Sequence, residues 1–425
     1  MTIDERFTAE ATEERYRNGE GIGKRNEPTL TPVEDFATDF DHLDPTWAAD
    51  PYPIWDDLRD RCPVAHTERF GGGWLPTSFA DVQAVAHDTE HFTSRSIVMS
   101  NFRPDVSEAP EGGAPPITSD PPFHHGARKL LLPAFTKTSV GKLEQQSRDY
   151  CHELCDALEG RDVVDAATEF AQFIPVRVIS DMLGFPREDI DAFLRFVKNV
   201  LEGINEPLEA RMENFEVLFR YLQAQIEDHL AHPREDLTTY LIDAELDGQK
   251  LSADHVIGTM SLLLIAGIDT TWSSIGASIW HLAKTPDDRR RIAADRSLLA
   301  PAMEEFLRAF APVTMARLVR DDFTFSGVDM KADDWVLLSF PSANRDPAQF
   351  ERAAEVVIDR EVNRHAAFGL GIHRCVGSHL ARMELRVAME TWFERFPEFS
   401  LEDADAVTWS HGQVRGPRTL PIRIG

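Results

Sequence analysis

The chain has 425 residues, 42% of them hydrophobic, and a formal net charge of −28 at pH 7, so it can bury a large core but lacks the cationic surface that a nucleic acid partner requires. Its longest apolar run, near residues 260–268, is far shorter than the roughly 20 residues that cross a bilayer, and no apolar signal core precedes it. We therefore expect a cytoplasmic protein with no membrane span, whose four cysteines are reduced.

The first predicted boundary separates a flexible acidic segment, residues 1–40, from one folded domain at residues 41–425. The first segment lacks periodic apolar spacing, which is typical of chain without a packed core. Helices are predicted at 52–61 and 79–87 from their apolar periodicity. Many prolines and glycines between residues 103 and 122 predict a long loop, and long ordered loops in compact domains are usually functional.

Helical periodicity dominates from about residue 124 to residue 310 and predicts one long helix from Ser252 to Thr285. Ser252 is its expected N-cap and Pro286 its stop. Such a helix is roughly 50 Å long, at 1.5 Å per residue. The remaining predicted elements are short strands at 317–339, irregular chain at 341–374, a helix at about 376–396, and strands with turns at 407–424. The predicted fold class is therefore mainly α with a smaller β region.

The most specific pattern is the run FGLGIHRCVG at residues 368–377. Its glycines allow a tight loop that lies against a flat ligand. Cys375 then stands at the start of a helix, where the N-terminal N–H groups favour a negative sulfur and lower the thiol pKa. We expect Gly377 to permit close approach of that helix, Phe368 to shield the sulfur from water, and His373 to reach a carboxylate on the ligand rim.

A second pattern, AGIDTT at residues 266–271, lies inside the long predicted helix. Ala266 and Thr270 share one helix face because they are four residues apart. Small side chains there leave room for a small ligand, and the Asp269 carboxyl and the Thr270 hydroxyl can relay protons as an acid–alcohol pair. Ala, Gly and Thr also serve close helix packing, so the pattern alone leaves that alternative open.

The two patterns, 105 residues apart from Thr270 to Cys375, resemble the haem-binding and oxygen-activation motifs of the cytochrome P450 family, and the resemblance extends from about residue 45 onward. It implies a triangular prism with a long central helix over haem b, and a monooxygenase with Cys375 as the iron ligand. By this resemblance, the cofactor-binding residues are His124, Arg128, Ala266, Gly267, Arg317, Phe368, Gly369, His373, Cys375 and Gly377.

The resemblance also implies four donors for the two haem carboxylates. His124 and Arg128, at i and i+4, match the family's HxxxR pattern, and its register favours His124 over His125. Arg317 matches a second carboxylate-binding arginine, and His373 is the fourth donor. Ordinary surface salt pairing is the alternative interpretation.

A buried ion pair between Glu305 and Arg308 is implied as a brace for the haem loop. The family usually adds a third arginine, but this chain has Glu355 at the position where we align it. Arg360 and Arg364 are both candidates to complete the network, and the sequence does not decide between them.

The resemblance to soluble bacterial members implies that electrons arrive from a small acidic ferredoxin and its NAD(P)H-dependent reductase, since we expect no reductase domain after residue 425. Residues 121–143 and 362–383 contain no Asp or Glu in this acidic chain. Both stretches flank the expected thiolate side of the haem. We therefore predict a docking surface there that includes Arg128, Lys129 and Arg374, because local positive charge steers an acidic partner.

The pocket walls that the resemblance implies are largely apolar and favour a small hydrophobic terpenoid or aromatic substrate. These wall residues are Val98, Met99, Phe102, Leu263, Val313, Thr314, Met315 and Val414. Arg103 is interpreted as an exposed loop arginine rather than a carboxylate anchor. The carboxy-terminal region looks most like the camphor- and cineole-oxidising subgroup.

Two alternative functions remain open at this point. A peroxide-using haem-thiolate enzyme would share the cysteine loop, but such enzymes commonly replace the acid–alcohol pair, which is intact here at Asp269 and Thr270. A haem-binding or sensor protein without catalytic activity would share the loop as well. Carbon monoxide difference spectra and electron-donor consumption distinguish these classes.

Overall fold

The structure, a computed structural model, describes residues 23–29, 31–104, 113–203, 206 and 208–425. The predicted flexible segment and the predicted long loop at 103–122 therefore lie partly outside the described residues.

The described residues form fifteen α-helices and sixteen short β-strands. The helices α1 to α15 are Pro45–Ala49, Tyr52–Arg61, Phe79–His87, Phe123–Leu131, Lys137–Gly141, Glu144–Leu158, Phe173–Leu183, Ile190–Glu202, Leu208–Ala231, Leu237–Asp243, Ala253–Lys284, Pro286–Ala294, Leu299–Ala309, Phe340–Ala343 and Ser378–Arg395. The strands β1 to β16 are Gly23–Arg25, Val64–Thr67, Gly73–Pro76, Phe92–Thr93, Phe102–Pro104, Val163–Asp165, Glu245–Leu246, Gln249–Lys250, Thr314–Val319, Phe323–Phe325, Val328–Met330, Trp335–Ser339, Phe399–Leu401, Thr408–Trp409, Pro417–Thr419 and Pro421–Ile424. The predicted class, mainly α with a smaller β region, is confirmed.

The longest helix, α11, is the predicted central helix. Its N-cap Ser252 accepts a hydrogen bond from the N–H of His255 at 3.0 Å, and Pro286 begins the next helix. Helices α7, α8, α9 and α15 pack around it. Among the described residues it alone is long and apolar enough to cross a bilayer, but 67% of its apolar window is buried inside the fold, as expected of a core helix.

The largest sheet has the strand order β2-β3-β12-β9-β4. Strand β12 pairs parallel with β3 and antiparallel with β9, and every one of its five residues is buried. Burial on both faces explains the continuous apolar run Trp-Val-Leu-Leu in its sequence. The sheet fixes the position of β9, which carries Arg317 and the start of the predicted pocket wall.

Ordered chain begins before residue 41 within the described residues. Strand β1 pairs antiparallel with β5, and the side chains of Ala37 and Phe40 are 7% and 0% exposed in a core with Trp47 and Trp55. These isolated apolar residues have no helical or strand period, and the sequence pattern therefore gave no sign of their burial.

Strand β6 interrupts the region that the sequence predicts as helical. It pairs antiparallel with β16, which in turn pairs with β13. Its partner lies more than 250 residues later in the chain, so no local pattern could reveal the pairing. This sheet attaches the carboxy-terminal strands to the helical part of the fold.

Candidate functional site

The Cys375 loop is held in a tight form by its own backbone. The N–H of Cys375 donates to the carbonyl of Phe368 at 2.7 Å, and both Gly369 and Gly371 have positive φ angles, 69° and 67°. A Cβ on Gly371 would lie 2.0 Å from the carbonyl oxygen of Ala86 on α3. Only glycine fits this position, because both the backbone angle and the close approach exclude a side chain.

Cys375 precedes α15, with Gly377 as the N-cap residue. Its side chain is solvent-accessible, yet enough protein surrounds the thiol that burial raises its pKa. The N–H of Gly377 and the cationic Arg128 and Arg374 oppose this rise. In the protein without a bound metal, the thiol pKa is therefore raised, whereas the sequence predicted that it would be lowered. Coordination to a metal ion is what would hold a thiolate here.

Two further glycines of the site have different protein surroundings. A Cβ on Gly377 would lie 3.8 Å from Cys375 Sγ and from the Phe135 ring, an ordinary contact, so no protein neighbour requires glycine there. Gly267 lies against α7, where a Cβ would come within 3.2 Å of Ile179 Cγ1. Its small size therefore serves packing of the central helix, which is the alternative that the sequence left open.

Phe368, at the start of the cysteine loop, is held by a cation–π contact. The guanidinium of Arg382 lies 4.3 Å from the ring centroid, and the same guanidinium donates twice to Glu304, at 2.6 and 2.8 Å. His365 also contacts Glu304 at 3.0 Å. These contacts hold Phe368 in place and neutralise Arg382, one of the cations in the predicted acid-free stretch.

A group of buried donors lies next to the cysteine loop. The ring centroids of His124 and His373 are 4.4 Å apart. Three of the four ring nitrogens are buried without a hydrogen-bond partner. His124 is 1% exposed, whereas His125 faces outward. Burial, reinforced by neighbouring cations, lowers the pKa of His124 to about 4 and that of His373 to about 2.

Two arginines complete this donor group. Arg317 is 5% exposed and donates to the carbonyl of Ala316 at 2.7 Å, and burial lowers its pKa to about 10. Arg128 donates to the carbonyl of Arg374, and burial lowers its pKa. Buried polar nitrogens without a partner, such as those of His124 and His373, are costly. Two ligand carboxylates would satisfy them, so the residues fit the propionates of a haem.

The AGIDTT pattern at residues 266–271 lies on α11, with its members facing different ways. Ala266 is exposed although it sits in the middle of a buried helix, so it faces a cavity. The Thr270 hydroxyl donates to the carbonyl of Ala266 at 2.8 Å. Asp269 is 1% exposed and accepts from Arg418 Nη2 at 2.9 Å. The carboxyl and the hydroxyl of the predicted pair therefore have separate partners.

Asp269 is held between opposite charges. Burial raises the pKa of its carboxyl to about 6, while Arg418 and Ser273 oppose the rise and Glu202 adds to it. Arg418 also donates to Glu202 at the end of α8 and to Ser273 at 3.3 Å. Sequence reasoning missed Arg418 and Glu202, because neither stands near a motif.

The predicted ion pair between Glu305 and Arg308 is fully buried, and the structure identifies a third member of the network. Arg308 donates to both oxygens of Glu305 at 2.8 Å, and the two side chains are 0% exposed. Arg360 Nε donates to Glu305 Oε2 at 2.9 Å, whereas Arg364 is exposed. Glu355 contributes its backbone carbonyl to Arg308 at 2.6 Å. Arg360 therefore completes the network.

The predicted pocket walls come together at the start of β9. Val313 and Val414 form an isolated β-bridge, and the carbonyl of Ile97, beside Val98, accepts from the N–H of Ala316 at 2.9 Å. Three separate segments therefore meet at one place.

Individual wall residues differ in burial. Val98, Thr314 and Met315 are half-buried, and Leu263 is 5% exposed. Phe102 is half-buried in β5. Met99 is a correction: it is 1% exposed and packs in the sheet core, where its Cε lies 2.7 Å from a Cβ built on Gly73. It lines the core of the sheet rather than the pocket.

Comparison with known proteins identifies the family. The family profile described as Cytochrome P450 matches residues 170–413. The chain is 33% identical to mycinamicin IV hydroxylase/epoxidase of Micromonospora griseorubida, over 87% of this chain and 94% of that protein. It is also 33% identical to vitamin D(3) 25-hydroxylase of Pseudonocardia autotrophica, over 89% and 95%.

Solved structures show the same relationship. The cytochrome P450 PksS of the Bacillus subtilis bacillaene polyketide synthase superposes with a TM-score of 0.82 at 29% identity, covering 91% of this chain and 100% of that chain. CYP109E1 of Bacillus megaterium, solved in complex with testosterone, also gives 0.82, at 28% identity and covering 88% and 98%. The family uses haem b, which the buried donor group fits. The chain belongs to the cytochrome P450 family and is a monooxygenase of that family.

Proposed function

We propose that this chain binds haem b between Cys375 and α11, and inserts one oxygen atom from O2 into a C–H bond of a hydrophobic substrate. The observation that carries the proposal is the set of buried His124 and His373 nitrogens without a hydrogen-bond partner, beside a cysteine that precedes a helix. Haem, when bound, supplies the oxygen activation and the electron storage. The chain's own residues ligate it, neutralise its carboxylates, deliver protons and select the substrate.

Proton delivery is assigned to Asp269 and Thr270. A carboxyl with a pKa of about 6 gains and loses a proton readily near neutral pH, which suits an acid that works repeatedly. The Thr270 hydroxyl lies on the face of α11 that carries the exposed Ala266. Rotation of Thr270 about χ1 would redirect its proton from the Ala266 carbonyl into the cavity.

Electrons are proposed to come from an acidic ferredoxin and its NAD(P)H-dependent reductase. The surface formed by Arg128, Lys129 and Arg374 is the proposed docking surface, and the last two are exposed. A chain of net charge −28 repels an acidic protein at most points of its surface. A local cationic area therefore directs the encounter to one place.

The substrate is proposed to be a small hydrophobic molecule such as a terpenoid or an aromatic, as in the camphor- and cineole-oxidising subgroup, and the reaction is proposed to be cytoplasmic. Apolar side chains at the start of β9 support an apolar substrate. The names of the relatives, which include a mycinamicin hydroxylase and a vitamin D(3) hydroxylase, favour a bulkier apolar molecule as the second candidate.

The proposal is tested with the purified holoenzyme in three steps. The reduced carbon monoxide complex should show the long-wavelength Soret band of thiolate ligation, and the C375H variant should lose it. A panel of terpenoids, aromatics, macrolides and steroids is then screened for the substrate-induced spin shift. Finally, each responding compound is incubated with NADH, a ferredoxin and its reductase, and the product is analysed for one added oxygen.

Two outcomes would support the alternatives instead. Product formed with hydrogen peroxide but not with the ferredoxin pair would identify a peroxide-using enzyme. A thiolate spectrum with no oxygenated product under either condition would favour a haem-binding protein or sensor. A carbonyl complex without the long-wavelength band in freshly folded wild-type protein would contradict Cys375 as the ligand.

A further inference from the structure

Strand β1 holds the chain segment that follows the pocket wall. It pairs antiparallel with β5, in a register that joins Lys24 to Arg103 and Arg25 to Phe102. The pairing continues one residue further, where the N–H of Asn26 donates to the carbonyl of Asn101 at 2.8 Å. The segment at 101–104 therefore has a backbone partner along its length, contributed by the amino-terminal end of the described chain.

Asn26 also fits into the tight turn at residues 70–72. Its Nδ2 donates to the carbonyl of Phe70 at 3.0 Å. A Cβ built on Gly71 would lie 2.5 Å from that same Nδ2, and Gly71 has a φ of 82°. The glycine thus leaves the space that the Asn26 side chain occupies.

The same turn contacts the 101–104 segment through Arg103. Arg103 is 6% exposed, and its Nη2 lies 3.2 Å from the carbonyls of Phe70 and Gly71 and 3.3 Å from that of Gly72. It is therefore a buried structural arginine rather than the exposed loop residue expected from the sequence. Asn26 and Arg103 contact one turn, and together they fix one end of the segment.

The chain that precedes this segment is fixed at Ile97 by the pocket wall itself. The carbonyl of Ile97 accepts from the N–H of Ala316 on β9 at 2.9 Å and from Gln413 Nε2 at 3.4 Å. The predicted pocket residue Val98 lies between Ile97 and the 101–104 segment, and the predicted pocket residue Phe102 lies within that segment. Movement at residues 101–104 would therefore change the space beside the pocket wall.

We propose that residues 23–29, here termed the N-terminal clamp, determine the substrate size that the pocket admits. The clamp holds residues 101–104 against the turn at 70–72 and so restricts the pocket to small ligands, with Asn26 as the positioning residue. This inference rests on the proposed function, because it concerns the pocket above a bound haem.

The expected size of the effect follows from the contacts. Some ligands bind only when the segment is displaced. The apparent affinity of such a ligand is its intrinsic affinity multiplied by the fraction of molecules in which the segment is already displaced. Removal of one hydrogen bond worth about 1 kcal/mol raises that fraction about fivefold. A small ligand that fits without displacement gains nothing.

The test compares two haem ligands of different size, imidazole and the bulky azole ketoconazole, by the Soret shift that nitrogen ligation produces. The variants are N26A, which removes the side-chain hydrogen bond, and G71A, which expels the Asn26 side chain by a different route. We expect each to lower the ratio of the ketoconazole Kd to the imidazole Kd about fivefold. The matched control is K24A on the same strand, whose exposed ion pair with Asp333 contributes little.

Amide hydrogen exchange at residues 101–103 provides a readout that needs no haem, and exchange there should be faster in N26A than in K24A. The proposal is overturned if either N26A or G71A, folded and with the wild-type carbonyl spectrum, keeps the wild-type Kd ratio. Unchanged exchange in N26A overturns it as well. A wild-type chain that binds no haem would instead contradict the proposed function, and this inference would fall with it.

Discussion

At the scale of single residues, Glu384 is a buried acid without a predicted role. It lies on α15, is 1% exposed, and accepts a hydrogen bond from the Thr271 side chain. Burial raises its pKa to about 8 from an ordinary 4.5. Between these two values the folded chain holds a proton that the unfolded chain has released. The free energy of unfolding should therefore fall as pH rises through this window.

We predict that E384Q removes this loss of stability, because glutamine stays neutral and still accepts the Thr271 hydrogen bond. The wild-type chain should lose up to about 1.4 kcal/mol per pH unit relative to E384Q. Urea unfolding of both proteins at a series of pH values measures the difference. The control is E394Q on the exposed face of the same helix, which should keep the wild-type slope. Parallel slopes for E384Q and the wild-type chain would contradict the prediction.

The second residue-scale prediction concerns the cation that faces Asp269. Arg418 opposes the rise in the Asp269 pKa, so R418A should move that pKa upward from about 6. The apparent pKa in the pH profile of product formed per NADH should move in the same direction. R423A, which removes an exposed arginine paired with Glu402, is the control. Coincident profiles for R418A and R423A would argue against Asp269 as the proton-delivering acid.

The residues that sequence reasoning found are those whose role is marked by a local pattern. Cys375 and its two positive-φ glycines belong to one short run, and His124 shares a helix with Arg128. Arg418 lies 149 residues from Asp269 along the chain, and only the folded chain brings the two together. Met99 shows a different limit of sequence reasoning. An apolar residue next to predicted wall residues can pack in a core as well as line a pocket, and the sequence does not distinguish the two.

At the scale of elements, the best-predicted helix is the one with clear signals at both ends. Ser252 and Pro286 mark α11 to within one residue. The hairpin of β7 and β8 was missed, although Asp247 and Gly248 between the strands both have positive φ, which is typical of a two-residue hairpin turn. Each strand has only two residues, too few to show an alternation of apolar and polar side chains. The Asp-Gly dipeptide at 247–248 was therefore the only available signal.

The network that connects α13 to the chain before the cysteine loop gives an element-scale prediction. Arg360 is 9% exposed at its side chain and donates to the fully buried Glu305, so R360A leaves part of a buried carboxylate unpaired. We expect R360A to lose about 1–3 kcal/mol of stability and to retain haem less well on heating. R364A, four residues away and exposed, should resemble the wild-type chain. Equal thermal transitions and equal haem loss in the two variants would contradict the assignment of Arg360.

At the scale of the whole molecule, the net negative charge repels acidic partners, and a local cationic area beside the cysteine loop opposes that repulsion. The net charge of −28 acts over the Debye length, about 10 Å at 0.1 M salt, and is screened beyond it. Exposed cations beside the cysteine loop therefore matter most at low ionic strength. The position of this cationic area could be predicted from the sequence, because runs without Asp or Glu are visible there. The neutralisation of Arg382 by Glu304 could not, because the two residues meet only in the folded chain.

We predict that R374E slows reduction of the holoenzyme by an acidic ferredoxin and flattens the dependence of the rate on salt, because charge steering raises association rates only when the charges are complementary. R220E makes the same charge change at an exposed arginine on α9 and should leave the reduction rate near the wild-type value. Stopped-flow reduction under carbon monoxide, at low and high salt, measures both effects. The carbonyl spectrum of each variant must match the wild-type spectrum, since Arg374 adjoins Cys375, the proposed ligand. With matching spectra, equal rates for R374E and R220E at low salt would place the electron-transfer contact elsewhere on the molecule.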